Sequence, residues 1–146
     1  MIIERVDNYI KKLLEDPKYR AKVPIPVKDN LDPLDLMWLA GLLEGEGCFR
    51  LKEYHRKTGF AITLNLGMTD LDVVRKAASI MNSSVLLRKS RDTKRKPCYT
   101  TGFSGAPALM WMLILYPYMG ERRKMQINNC CKIIDLPFSQ RCEIEK

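Results

Sequence analysis

An α+β domain with elements in the order αββαββαα is predicted from the sequence, and three observations predict it. Two pairs of alternating segments, Cys48–Tyr54 with Phe60–Leu66 and Val85–Lys89 with Cys98–Phe103, each flank a polar turn and mark two hairpins. A helical run precedes each hairpin, Leu34–Glu46 before the first and Asp70–Met81 before the second. Two further helical stretches, Ala106–Leu115 and Gly120–Ile134, follow the last strand. At 146 residues the chain suits one domain with a proper core.

Ahead of this core, residues 2–20 place Ile3, Val6, Ile10, Leu13 and Leu14 at helical spacing, which predicts a short amphipathic helix. Pro17, Pro24 and Pro26 then make 21–33 an extended connection. Asp32, Pro33 and Asp35 read as a helix start: an N-cap acceptor, a first-turn proline and an early acid. Gly47 reads as the stop. In the first hairpin Phe49 and Leu51 share one face, and Arg50 and Lys52 the other. The segment HRKTG, residues 55–59, turns the chain. Leu71, Val74, Ala78 and Met81 form the apolar face of the next helix, and Trp38, Met110, Trp111 and Met112 are expected in the core. The second hairpin carries a basic loop, SRDTKRKP.

The net charge of +8 sits in one place. Between Cys48 and Ser104 there are twelve Lys or Arg against four Asp or Glu, whereas the remainder is neutral. A basic field confined to one segment is the footprint of a polyanionic partner. Five cysteines without a CxxC pair read as reduced thiols, not as a disulfide frame or a zinc site. A single histidine, His55, excludes His-rich metal sites and argues against an HNH-type nuclease. No apolar run is long enough to span a bilayer, and Met1-Ile2-Ile3-Glu4-Arg5 lacks a signal-peptide pattern, so an intracellular location is expected.

The run Leu39–Gly47, LAGLLEGEG, is the oddest in the chain. Gly41 and Gly45 are four residues apart, on one helix face, and let a second backbone approach closely. Each glycine costs a helix about 0.5–1 kcal/mol relative to alanine. Glu46 ends the run, where a carboxylate opposes the helix dipole. Chemistry explains such an acid better than folding does.

This run resembles the signature of the LAGLIDADG homing endonucleases. Leu39, Ala40, Gly41, Leu42 and Gly47 match letter for letter; Leu43, Glu44 and Glu46 are conservative replacements, and Gly45 stands for a small alanine. A second likeness is the stretch Leu115–Gln126, similar to the family's passage into its last core helix. The resemblance covers roughly residues 34–137, leaving 1–33 as an N-terminal helical extension and 138–146 as a tail. It implies a homing-endonuclease-like fold in which the hairpins form a four-stranded antiparallel DNA-binding sheet. It implies that Glu46, with Gly45 beside it, holds a catalytic divalent metal, Mg2+ or Mn2+. Arg122, then Lys124, are the nearest counterparts of the basic residue that reaches the family's active site. The family also places a polar residue near the end of the second strand, where the register puts Met68, with Asn65 and Thr69 nearby.

One motif per chain implies a homodimer joined through Ala40, Gly41, Leu42 and Gly45, cutting double-stranded DNA at a pseudo-palindromic site. The expected DNA-binding residues are Arg50, Lys52, Arg56, Lys57, Thr63, Asn65, Arg88, Lys89, Arg91, Lys94, Arg95 and Lys96. Glu44 is expected to be a cap or surface acid. Two alternatives use the same fold: a DNA-binding regulator without cleavage, and a maturase whose partner is intron RNA.

Overall fold

A computed structural model describes residues 28–54, 59–89, 91 and 94–132, together with Asn8, Lys11, Glu15 and Pro26. The first three of those isolated positions have helical backbone and are exposed. Most of the expected N-terminal helix, the first hairpin turn with Arg56 and Lys57, and the tail lie outside the described residues.

Helix α1 spans Pro33–Glu46, and the predicted cap is present: Asp32 Oδ1 accepts the Leu34 N–H at 2.8 Å. The helix ends at Gly47, where any Cβ would sit 2.6 Å from the Leu43 carbonyl oxygen, so only glycine lets the chain turn so tightly into the sheet. Strands β1 (Gly47–Tyr54) and β2 (Gly59–Met68) form the first hairpin, followed by α2 (Leu71–Met81). Strands β3 (Leu86–Arg88) and β4 (Cys98–Ser104) form the second. Helix α3 (Ala106–Leu115), a 3-10 turn at Tyr116–Tyr118 and α4 (Glu121–Cys131) follow. The four strands make one antiparallel sheet in the order β1-β2-β4-β3.

Alternation divides the sheet into two faces. Phe49, Ile62, Leu64 and Leu66 point into a core completed by Leu36, Leu39 and Leu43 of α1, Ala77 and Met81 of α2, and Trp111, Met112 and Leu115 of α3. Thr101 is also buried there, and its hydroxyl is satisfied by Ser83. Trp38 is half-buried, with Lys76 of α2 lying 4.3 Å from its ring centroid, so α1 and α2 are joined by a cation–π contact as well as by packing. No helix among the described residues is long and apolar enough to cross a membrane.

Candidate nucleic-acid interface and metal site

The second face of the sheet is set by the register. Arg50 pairs with Thr63 and Thr63 with Ser104; Cys48 pairs with Asn65 and Asn65 with Gly102. Gly67 pairs with Thr100 and Thr100 with Leu86, and the last row is Cys98 with Arg88. Glu46, at the exposed end of α1, lines an open groove of about 670 Å³ over this face, with Cys48, Asn65, Gly67, Leu86 and Arg88 among its walls. The acid and the outer sheet face therefore belong to one surface.

Gly102 shapes the floor. A Cβ there would sit 2.0 Å from the Leu64 carbonyl oxygen and 2.6 Å from Asn65 Oδ1, so the glycine leaves the space that the Asn65 amide occupies. Asn65 is exposed, whereas Thr63, expected to be equally open, is only 8% exposed. Met68 packs against the core. The polar side chain that the second strand brings to the Glu46 groove is Asn65, not a residue at position 68 or at Thr69, which lies beyond the strand.

The cations surround this floor. Arg50 and Arg88 are exposed on the strands, Lys89 just after β3, and Arg91, Lys94, Arg95 and Lys96 in the loop before β4. Lys52 lies on β1, paired with Ala61. Exposed cations concentrated on these strands and the loop between β3 and β4 favour a polyanion.

Helix α4 fastens the acid's end of α1. Arg123, buried at 6% exposure, donates from Nε to the Glu44 carbonyl at 3.0 Å and from a terminal nitrogen to Gln126 at 3.0 Å, with its guanidinium 5.5 Å from the Phe49 ring centroid. The Glu44 carboxylate accepts the Gly120 N–H at 3.3 Å, placing a negative charge at the start of α4. Glu44, expected to be a cap or surface acid, accepts both bonds, and together they clamp α1 to α4 two residues from Glu46. Arg122 is exposed, and Lys124 is half-buried, 5.4 Å from the Tyr116 ring centroid. Arg123, missed in the sequence reading, shares the helical face of Ile127 and Cys130, and that periodicity was the available signal.

The motif helix leaves one face open. Leu34 is 80% and Met37 45% exposed, and Gly41 and Gly45, continuing the same stripe, have nothing within 4 Å of where a Cβ would stand. Ala40 is covered within the protomer, at 3% exposure, and Leu42 is half-buried.

Carbonyls at a helix C-terminus lack intrahelical N–H donors and are available to ligands. Leu43 O accepts the Gly47 N–H and Glu44 O accepts Arg123, so the next in line is the carbonyl of exposed Gly45, beside Glu46. Hard oxygen donors of this kind fit Mg2+ or Mn2+, but no group of three or more His, Cys, Asp or Glu converges among the described residues.

This architecture matches known structures. The homing endonuclease I-CvuI, in complex with the I-CreI target at 2 mM Mg with the DNA not cleaved, is 22% identical, with a TM-score of 0.57 over 73% of this chain and 70% of that one. I-CvuI with its own target at 2 mM Ca is 21% identical, with a TM-score of 0.55 over the same shares. The group I intron-encoded homing endonuclease I-CeuI, complexed with DNA, is 12% identical, with a TM-score of 0.56 over 92% of this chain and 71% of that one. No protein-family model matches the chain, and neither does any curated protein sequence. The fold is that of the LAGLIDADG homing endonucleases.

Proposed function

We propose that this chain is a sequence-specific DNA endonuclease that makes divalent-metal-dependent double-strand cuts as a homodimer at a pseudo-palindromic site. The observation that carries the reading is α1 itself, which ends on exposed Glu46 and leaves its Leu34–Met37–Gly41–Gly45 stripe uncovered. Phosphodiester hydrolysis needs charge stabilisation at the attacking and leaving oxygens, and a bound Mg2+ or Mn2+ supplies it. Glu46 and the Gly45 carbonyl are the groups that would hold it. A single carboxylate is a poor cage, but magnesium accepts one or two carboxylates with waters and substrate oxygens. Two glycine faces packed about a two-fold axis would bring both Glu46 side chains beside the scissile phosphates. The clamp of Arg123 and Glu44 keeps the terminal turn of α1 in place. The basic outer sheet face is suited to the major groove, with Arg50, Lys52 and Arg88 on strands and Lys89, Arg91 and Lys94–Lys96 around them. DNA binding by I-CvuI and I-CeuI supports the same choice of partner.

The test is incubation with duplex DNA from the flanks of the gene in Mg2+, with Glu46→Gln in parallel. Wild type is expected to cut both strands, and the variant to bind with cleavage lowered at least about a hundredfold, the scale of losing one transition-state charge partner. Tight, sequence-selective binding without cutting by either protein would instead establish a DNA-binding regulator with this fold.

A further inference from the structure

One residue on the outer sheet face does not fit a purely basic surface. Leu86 is 62% exposed in the groove that Glu46 lines. Its row is equally unpolar: across β4 it meets Thr100, and then Gly67 on β2. Thr100 Cγ2 and Cys98 Sγ both lie 3.4 Å from where a Gly67 Cβ would stand, so a methyl and a sulfur close over the glycine. The result is a small apolar strip, Leu86–Thr100–Gly67, next to exposed Arg88 in the same groove and followed along the chain by exposed Lys89, Arg91, Arg95 and Lys96.

An apolar strip beside exposed cations suits a surface that is anionic at its edges and has an apolar point on its floor. The major groove of duplex DNA has that pattern: phosphates flank it, and thymine's C5-methyl is the one apolar group that the bases present there. Leucine can neither donate nor accept a hydrogen bond, so it distinguishes a base pair only through that methyl. We propose that Leu86, with the Thr100 methyl beside it, reads a thymine C5-methyl in each half-site and favours an A·T pair at that position. This rests on the duplex-DNA reading above and adds a specificity residue to it.

The experiment selects preferred duplexes from a randomised pool with Ca2+ in place of Mg2+, then replaces each selected thymine in turn by deoxyuridine, which deletes only the methyl. For wild type, one thymine per half-site is expected to lower affinity about fourfold on losing its methyl, the scale of one buried carbon. Leu86→Ala is expected to bind thymine and deoxyuridine duplexes equally at that position, while Arg88→Ala keeps the difference. Equal sensitivity of wild type and Leu86→Ala, or selection of G·C throughout, would overturn the proposal while leaving DNA binding intact. So would a Leu86→Ala protein with lowered Tm and unchanged base preference, since the leucine would then be packing against its own chain. Failure to select any duplex would overturn this proposal together with the function it rests on.

Discussion

Helices α1 and α3 are both rich in leucine, methionine and tryptophan and have opposite fates. Both are apolar around most of their circumference, PLDLMWLAGLLEGE and APALMWMLIL. Helix α3 buries Ala108, Leu109, Met110, Trp111, Met112 and Leu115, as a helix hydrophobic on all sides should. Helix α1 buries only Leu36, Leu39, Ala40 and Leu43, and presents leucine, methionine and two open glycines to solvent. In α3 the apolar residues build the core; in α1 part of the same vocabulary stays exposed, which is the surface the proposed homodimer would use.

The comparison breaks most visibly at Gly41. An arginine there places a charge on the stripe without touching the core. The expected outcome is a monomer by analytical ultracentrifugation, with double-strand cleavage lowered at least about a hundredfold and an unchanged circular dichroism spectrum. If Gly41→Arg stays dimeric, the open stripe is not the contact surface.

The stability of the protomer should respond the other way. In denaturant unfolding of the Gly41→Arg background, Trp111→Ala is expected to cost about 3–5 kcal/mol, the usual loss for a fully buried aromatic. Met37→Ala in that background should stay within about 0.5 kcal/mol. Comparable costs at the two positions would mean that α1 and α3 are covered alike.

The clamp at the end of α1 should give an intermediate effect. Arg123→Gln removes a charged donor from the Glu44 carbonyl, with an expected loss of about 1.5–3 kcal/mol. Arg122→Gln, at an exposed position, should leave unfolding within about 0.5 kcal/mol.

The smallest effect lies at Cys130. Burial, then the neighbouring Cys131 and Cys48, push its thiol up from 9.0 to about 12. A pKa raised on folding contributes stability that is complete below the unfolded value and is lost as pH rises through the folded one. Unfolding at pH 7 and 8 should therefore show the full stability and no pH dependence from this thiol, with a decline setting in between about pH 9 and 12. Peptide-resolved alkylation at pH 8 should label half-buried Cys48 and Cys98 well before Cys130.

Much of this was legible in the residues. The αββαββαα order, the Asp32 cap, the stop at Gly47 and the two hairpins follow from local rules, because capping, turn chemistry and alternation act over a few neighbours. The basic character of the second hairpin was equally plain. What local pattern left open was placement. Position 68 and Asn65 differ by an odd number of residues, and only the pairing of β2 with its neighbours decides which lies in the groove with Glu46. Thr63 shares Asn65's face but is covered, which depends on packing around it.

Among Arg122, Arg123 and Lys124, three adjacent cations are equivalent to composition and distinct to a helix, where only Arg123 turns toward the end of α1. Sequence by itself determined which elements form and where the charge lies, since backbone preference and side-chain chemistry are local properties. Tertiary structure decided which apolar helix is buried, which polar side chain shares the groove with Glu46 and which arginine bonds the Glu44 carbonyl nearby. Those outcomes depend on contacts between residues as distant as Glu44 and Arg123, and no short stretch of chain contains both.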